Sequence, residues 1–329
     1  MKPTVALIYG GEGAEHDISL LSAENVCKFI DRSSYDILKV VIDRSGEWYI
    51  ESEGGRTHAF PVFWNEKGGL FTQGKTFPVD VAVPLLHGDL GEDGIITGAL
   101  RAAHIKFVGC ETASGAVCSD KITTKLVAEA LGIPTAKWTF SDSDDTSLAV
   151  KKAEENLSYP MFVKPVSLGS SIGISKVYFK DELREAYEAA HKLSKRVLIE
   201  EGISVKCELE CAYLAFSGKE YFEVGSVFSN GEFYDFEKKY KTATKTDTNA
   251  SNEAVKAKVI DAAKKLREAI GIRHISRFDF FFAEDGRVLF NEINTLPGMT
   301  KTSLYPALTQ KMGLSEGEFI NRLISEALL

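Results

Sequence analysis

Within Ser276–Asn294 two carboxylates, Asp279 and Glu292, lie on either side of the dipeptide Asp285-Gly286. Asp-Gly between two apolar runs is the signature of a two-residue type I′ hairpin turn. Such a turn puts Glu284 opposite Arg287, and counting back puts Asp279 opposite Glu292 and Arg277 opposite Asn294. Side chains alternate along a strand, so these groups share one face while Phe278, Phe280 and Phe282 share the other. Directly opposed side chains have Cβ atoms only about 4.5–5.5 Å apart, and like charges so placed repel. A divalent cation between them resolves the conflict. Two carboxylates and the Asn294 amide form an all-oxygen donor set, which favours magnesium, an ion that keeps waters and bridges to nucleotide phosphates. The competing reading is a solvent-exposed face on which Arg277 neutralises Asp279.

Cationic and small residues elsewhere suit a triphosphate. Lys164 closes an apolar strand and is followed by Pro165-Val166-Ser167-Leu168-Gly169-Ser170-Ser171-Ile172-Gly173. Small side chains here let backbone N–H groups approach an anion, and the lysine adds charge. The order is not that of a Walker loop, because GxxxxGK[ST] is absent. Gly10-Gly11-Glu12-Gly13 after the first apolar run lacks the third glycine of a dinucleotide fingerprint, since position 16 is His16. Lys121 falls in the first turn of a helix, where the helix dipole disfavours a cation unless an anion binds nearby. Lys239 and Tyr240 precede a Thr-, Lys- and Asn-rich stretch, Lys241–Asn252, that reads as a mobile loop able to swing over a site. Glu200-Glu201-Gly202-Ile203 ends a strand at a junction between units, a place that suits the edge of a purine.

The elements that must position these groups form three units. Thr4–Tyr9, Tyr35–Asp43 and Val79–Leu86 read as buried strands, with Ile18, Leu21, Val26 and Phe29 at helical spacing between the first two. They predict an open α/β unit with a largely parallel sheet, whose ligands sit beyond the carboxyl ends of its strands. Glu15 and His87 fall in loops at those ends. Ser119 is the expected N-cap of a helix carrying Ile122, Leu126 and Ala130 and closed by Gly132. A smaller α+β unit runs through Met161–Lys164, Ile174–Tyr178, a helix over Asp181–Lys195 and a strand over Arg196–Glu200. Beyond it come Leu209–Phe216, Glu223–Phe228, a long helix from Glu253 to Ile270, the hairpin, and a C-terminal helix begun by the capping box Ser315 to Glu318.

Bulk properties narrow the class. At 329 residues, 44% hydrophobic and 26% charged, the chain has the composition of an ordinary multidomain globular protein. Its net charge of −8 argues against nucleic acid or an anionic membrane as partner. No apolar run approaches the roughly 18 residues of a membrane span, and the apolar run Val5–Tyr9 is too short for a secretory leader. Five cysteines form no CxxC pair, which fits a reducing cytoplasm.

The ordered segments GGEGAEHDISL (10–20), HGDLGEDG (87–94), SDK (119–121), VKPVSLGSSIGISKV (163–177), FYDFEKKY (233–240), RFDFFF (277–282) and NEINTLPGMTKTSL (291–304) resemble the D-alanine–D-alanine ligases over nearly the whole chain. NEINTLP and VGC (108–110) are also similar to the vancomycin-resistance ligases, which join D-alanine to D-serine or D-lactate. The resemblance implies a three-domain ATP-grasp fold: an N-terminal α/β substrate domain (1–120), a central lid domain (121–200) and a C-terminal catalytic domain (201–329). It implies ATP as cofactor, with two magnesium ions or manganese in their place, and a homodimer. It implies that one D-alanine is phosphorylated on its carboxylate and that the amine of a second D-amino acid attacks the acyl phosphate. By position, Glu15 holds the first ammonium, Ser170 and Tyr240 close the site with it, and His87 lies on the substrate side. Lys121, Lys164 and Lys239, with Ser171 in the small-residue loop, are the phosphate-binding set. Glu200, Glu201 and Ile203 contact adenine. The strand after Glu200 carries one extra residue, so Glu208 or Cys207 occupies the ribose-binding position. Asp279, Glu292 and Asn294 are the metal ligands, Arg277 and the Gly298 N–H stabilise the oxyanion, and Ser303 and Leu304 receive the second carboxylate. A tyrosine at 240 and a loop without histidine between 241 and 252 favour D-alanine as second substrate. Rival readings are a nicotinamide-dependent oxidoreductase, which leaves the hairpin unexplained, and a non-catalytic ATP-binding module.

Overall fold

The computed structural model describes residues 1–63, 68–169, 172–228, 245–249, 252–300 and 302–329. Its N-terminal part is built on the strand Thr4–Gly10, which pairs in parallel with Asp36–Ile42 on one side and Val81–Pro84 on the other. Lys106–Phe107 extends that parallel core, while Trp48–Ser52 and Gly55–His58 add two antiparallel strands at the far edge. The parallel core is as the alternation of apolar runs implies. The antiparallel edge and a small sheet of Phe60–Pro61, Gly69–Thr72 and Lys75–Pro78 are additions that short, half-exposed strands do not announce.

A four-stranded antiparallel sheet follows, in the order Trp138–Ser141, Val197–Glu201, Met161–Pro165 and Ser175–Val177. The helices Thr146–Asn156 and Lys180–Leu193 cover it, burying Val150, Leu183 and Tyr187 in a core that belongs to this unit alone. The third sheet is antiparallel, in the order Lys245–Asp247, Lys219–Phe228, Val205–Phe216, Ile275–Ala283 and Val288–Asn294. The helix Glu253–Ile270 lies on its apolar side. Ala128 and Ile133, from the helix Lys121–Ala130 and its exit, pack into the same core. A further core runs from Val5 and Leu7 to Phe319 and Ile324, fusing the N-terminal sheet to the C-terminal helices.

Two local expectations need correction. The helix Lys121–Ala130 is capped by Asp120, whose Oδ1 accepts from the Thr123 N–H at 2.7 Å; Ser119 instead ends the preceding helix Thr112–Ser119. Asp is as good a cap as Ser, and here it alone reaches the first-turn N–H groups. Part of the stretch expected to be a loop, Lys245–Asp247, is a strand paired with Ser226–Phe228, and Asn252 caps the following helix through the Val255 N–H. Residues 241–244 lie outside the described residues, as do Ser170, Ser171, Lys239 and Tyr240. The capping box at Ser315 and Glu318 is present as read. Among the described residues no helix is long and apolar enough to cross a membrane.

Candidate active site

The hairpin has the expected pairs by an unexpected route. Arg277 faces Asn294 and Asp279 faces Glu292. The turn, however, is a three-residue loop, Glu284-Asp285-Gly286, closed by Ala283 N–H to Arg287 O at 2.9 Å. Gly286 at φ +85° supplies the left-handed third residue that such loops use. Alone, this turn would set Asp279 against Asn291. A β-bulge between the Asp279 and Phe280 pairs absorbs one residue, Asn291, and brings Glu292 back into register. Phe278, Phe280 and Phe282 fill the core behind the strand.

The charged face is buried rather than solvent-exposed: Arg277 and Asp279 are each only 8% accessible. The Arg277 guanidinium forks onto Asp279, Nε to Oδ1 and Nη2 to Oδ2 at 2.7 Å each, and Asn294 Nδ2 donates to Asp279 Oδ2 at 2.8 Å. Glu210, from the neighbouring strand and opposite Asp279, approaches Arg277 Nε at 3.6 Å. Burial by itself would lower the arginine's pKa, but these carboxylates hold it well above its ordinary value. Among the described residues no three His, Cys, Asp or Glu side chains gather to chelate a metal by themselves. Two facing carboxylates beside an amide are a donor set that suits magnesium when water and phosphate oxygens complete the shell.

The N-terminal sheet contributes from its strand ends. Gly10 and Gly11 leave the first strand in left-handed geometry, and a Cβ at Gly10 would stand 2.1 Å from Ile42 O; the glycines serve this close crossing. Ser19 then ties the turn together, accepting from Gly10 N–H and donating to Leu85 O, both at 2.7 Å. Glu15, buried at the start of the helix His16–Phe29, lies so close to Gly88 that a Cβ there would be 2.4 Å from its Oε2. His87 Nδ1 is 3.1 Å from Leu296 O, and a carbonyl can only accept, so Nδ1 carries a proton and donates; Nε2 lies 3.0 Å from Ser22 Oγ. Thus His87 clamps the Leu296–Gly298 loop of the C-terminal unit against the N-terminal helix. Glu92 reinforces that contact: its carbonyl accepts from Thr295 Oγ1 at 3.2 Å, and its carboxyl receives the Leu296 and Gly88 N–H groups at 3.4 Å each. Burial, then the charge of Glu15, pushes the Glu92 carboxyl up to about 8.

Lys121 and Lys125, one helical turn apart, point the same way. Lys121 Nζ donates to Leu168 O at 2.6 Å and lies 3.9 Å from Glu292. Lys125 Nζ pairs with Glu200 Oε1, and Lys164 Nζ with Glu200 Oε2. Burial would raise the Glu200 pKa, but the two ammonium groups outweigh it and hold the carboxyl at about 2. Glu201 accepts from Ser158 N–H at 3.1 Å, and Ile203 is half-buried in the turn that follows. The register between strands shifts between Val205 and Cys207. Cys207 is consequently buried in the core and Glu208 emerges on the face of Glu210 and Asp279.

Glu15, His87, Lys121, Arg277, Glu292, Asn294 and Gly298 line one cleft, open to solvent and spanning about 720 Å³ including that open space, with Ser167–Gly169 on its wall. Lys164, Glu200, Glu201, Ile203, Glu208, Asp279, Ser303 and Leu304 are not among its walls. Ser303 stands beside it, its Oγ 3.0 Å from where a Cβ on Gly298 would be, and Leu304 is buried at the start of the helix Leu304–Lys311. Sequence reasoning missed Glu92, Lys125 and Glu210. The spacing of four from Lys121 was the signal for Lys125, and the two-residue spacing from Glu208 was the signal for Glu210.

A hairpin with facing carboxylates and a lysine-lined antiparallel sheet on opposite sides of a helix, beside an open α/β unit, have the architecture of an ATP-grasp ligase. Residues 4–110 match the D-ala D-ala ligase N-terminus and residues 127–325 the D-ala D-ala ligase C-terminus. The chain belongs to the D-alanine–D-alanine ligase family. It is 37% identical to the D-alanine–D-alanine ligase of Streptococcus uberis over 99% of this chain and 96% of that one. It is 34% identical to that of Thermoanaerobacter sp. (strain X514), over 99% and 97%. Among solved structures, the VanG D-Ala:D-Ser ligase from Enterococcus faecalis superposes with a TM-score of 0.90 at 32% identity, covering 99% of this chain and 100% of that one. The D-alanyl-alanine synthetase A from Vibrio cholerae gives 0.88 at 31% over 99% and 98%.

Proposed function

We propose that the protein joins two D-alanines into D-alanyl-D-alanine, consuming ATP and releasing ADP and phosphate, for peptidoglycan precursor synthesis. The observation that carries this is the single cleft in which Glu15 and His87 of the N-terminal unit meet Arg277, Glu292 and Asn294 of the hairpin. A carboxylate does not lose its oxygen to an amine, so the γ-phosphoryl group of ATP is transferred to it first. The amine of the second D-alanine then attacks the carbonyl carbon, and phosphate leaves as the nitrogen gives up a proton. In this reading Glu15 holds the first ammonium and Ser170 and Tyr240 close over it. Lys121, Lys164, Lys239 and Ser171 bind phosphates; Glu200, Glu201 and Ile203 bind adenine; Glu208 binds ribose. Arg277 and the Gly298 N–H face the oxyanion, a contribution often worth about 3–4 kcal/mol. Ser303 and Leu304 receive the second carboxylate. Asp279, Glu292 and Asn294 would hold magnesium, one ion or two, with manganese able to replace it. When bound it supplies charge neutralisation at the phosphates. Excluding water protects the acyl phosphate from hydrolysis.

The division into 1–120, 121–200 and 201–329, a homodimeric assembly and a cytoplasmic location belong to the same proposal. The separate core of the central sheet supports the first, and five free, buried cysteines support the last. ADP release from Mg-ATP, measured with and without D-alanine, tests the activity. Nucleotide binding with no D-alanine-dependent ADP release would identify a binding module instead. The likeness to a D-Ala:D-Ser ligase makes the second substrate the finer question. Equal D-alanine, D-serine and D-lactate in competition, with products separated by mass, should give D-alanyl-D-alanine as the main product. A dominant mixed product would overturn that choice and leave the ligase standing.

A further inference from the structure

Lys125 is a lysine only 1% exposed, on a helix between two sheets, and nothing in the reaction above employs it. Its Nζ takes one oxygen of Glu200 while Lys164 takes the other. Two buried ammonium groups on one buried carboxylate leave a surplus positive charge, which is costly inside a protein unless an anion arrives to balance it. The two lysines differ in access. Lys125 is sealed between helix and sheet, whereas Lys164 is 8% exposed and stands at the mouth of the small-residue loop. Only Lys164 can turn to an incoming phosphate.

We propose that Lys125 is the permanent counter-ion of Glu200, a positioning residue that lets Lys164 leave that carboxylate for the nucleotide phosphates without stranding a bare buried charge. The inference rests on Lys164 binding phosphate, as proposed above. Without Lys125, Lys164 would be the sole partner of Glu200, and its departure would expose an unpaired buried carboxylate. Phosphate binding would then be opposed, while the adenine contact of Glu200, which keeps Lys164 as its partner when adenosine alone binds, would be retained. The quantity that reports this is the ratio of Mg-ATP affinity to adenosine affinity, from equilibrium titration of the full chain with each probe.

Lys125→Met should lower that ratio about tenfold or more, with adenosine binding changed less than about twofold. Lys125→Arg, which keeps the charge, should restore most of it. Glu200→Gln removes the carboxylate that detains Lys164, so the ratio should equal or exceed that of the parent protein, and adding Lys125→Met to it should change the ratio less than about threefold. Equal losses for ATP and adenosine in Lys125→Met, or a ratio lowered by Glu200→Gln, would overturn the proposal. If Lys125→Met does not fold, the double variant decides together with Glu200→Gln, since the double variant leaves neither a bare carboxylate nor a buried Lys125 ammonium. Lys164→Met separates the two levels: unchanged ATP affinity there would remove the phosphate role of Lys164, whatever Lys125 does.

Discussion

The five-stranded and four-stranded sheets carry opposite surpluses of charge. On the first, Glu208, Glu210, Asp279 and Glu292 share a face with Arg277. Beside the second, Lys125 and Lys164 share the single carboxylate Glu200. Lys121 stands between them, one contact toward each. An ATP-grasp site that takes a metal ion and a triphosphate together gains from both surpluses, each costly while empty and each relieved by the ligand of opposite charge that it would receive. The difference lies in how each is restrained. The acidic face is held by one arginine fork, the basic cluster by a carboxylate with a lysine on each oxygen.

The largest effect that would break this comparison comes from the hairpin. Asp279→Asn and Glu292→Gln should each lower turnover by about 10³-fold. Their stabilities should diverge. Asp279 is the buried partner of Arg277, so Asp279→Asn should lower the free energy of unfolding by about 3 kcal/mol. Glu292 is 29% exposed and faces Asp279, so Glu292→Gln relieves repulsion and should not lower the urea midpoint without divalent ions. Normal turnover in either variant at limiting magnesium would remove the metal assignment, and equal destabilisation would remove the distinction between the two carboxylates.

A substitution outside both charged faces sharpens the contrast. Gly88→Ala places a methyl group 2.4 Å from Glu15 Oε2 and asks alanine to adopt φ +68°. KM for D-alanine should rise about tenfold or more, since strain of roughly 1–2 kcal/mol adds to displacement of Glu15. KM for Mg-ATP should stay within about twofold. A matching rise in both would mean that the amino-acid and nucleotide subsites are not separately built.

The two surpluses also differ in how well they can be seen before folding. Asp279, Glu292 and Asn294 come from one hairpin, and alternation alone puts them on one face. Even so, the turn was a residue longer than Asp-Gly suggests, and only a compensating bulge at Asn291 preserved the pairs. Nothing in Phe290-Asn291-Glu292 marks a bulge, because its cause is pairing across the sheet. Lys125, Lys164 and Glu200 come from a helix and two strands far apart in sequence, so only the members that sit in motifs were legible. Glu92 was missed for a related reason: its partners, the Leu296 and Gly88 N–H groups, are backbone, and backbone partners carry no sequence signature.

The smallest expected effect concerns two groups that join the N-terminal unit to the acidic sheet without charge at neutral pH. Glu92 titrates near 8 because burial and Glu15 oppose its ionisation, although the Leu296 N–H and Arg277 favour it. His274, whose Nδ1 accepts from the Gly109 N–H at 3.0 Å, is lowered to about 4 by burial and by Arg273. Their linkage to folding has opposite sign. The Glu92 contribution is fully present below the unfolded value near 4.5 and is lost as pH rises through about 8. That of His274 is present above about 6.5 and is lost as pH falls through about 4. Glu92→Gln should therefore gain steadily on the parent protein between pH 5 and 9, and His274→Asn, which keeps an acceptor for Gly109 and tolerates φ +63°, should gain steadily as pH falls from 7 to 4. Urea unfolding at each pH measures both. Curves parallel to the parent's would mean that the two groups ionise freely and that this junction is wetter than its packing indicates. Crossed slopes would show it to be a neutral seam between the N-terminal unit and the sheet that carries the charged face.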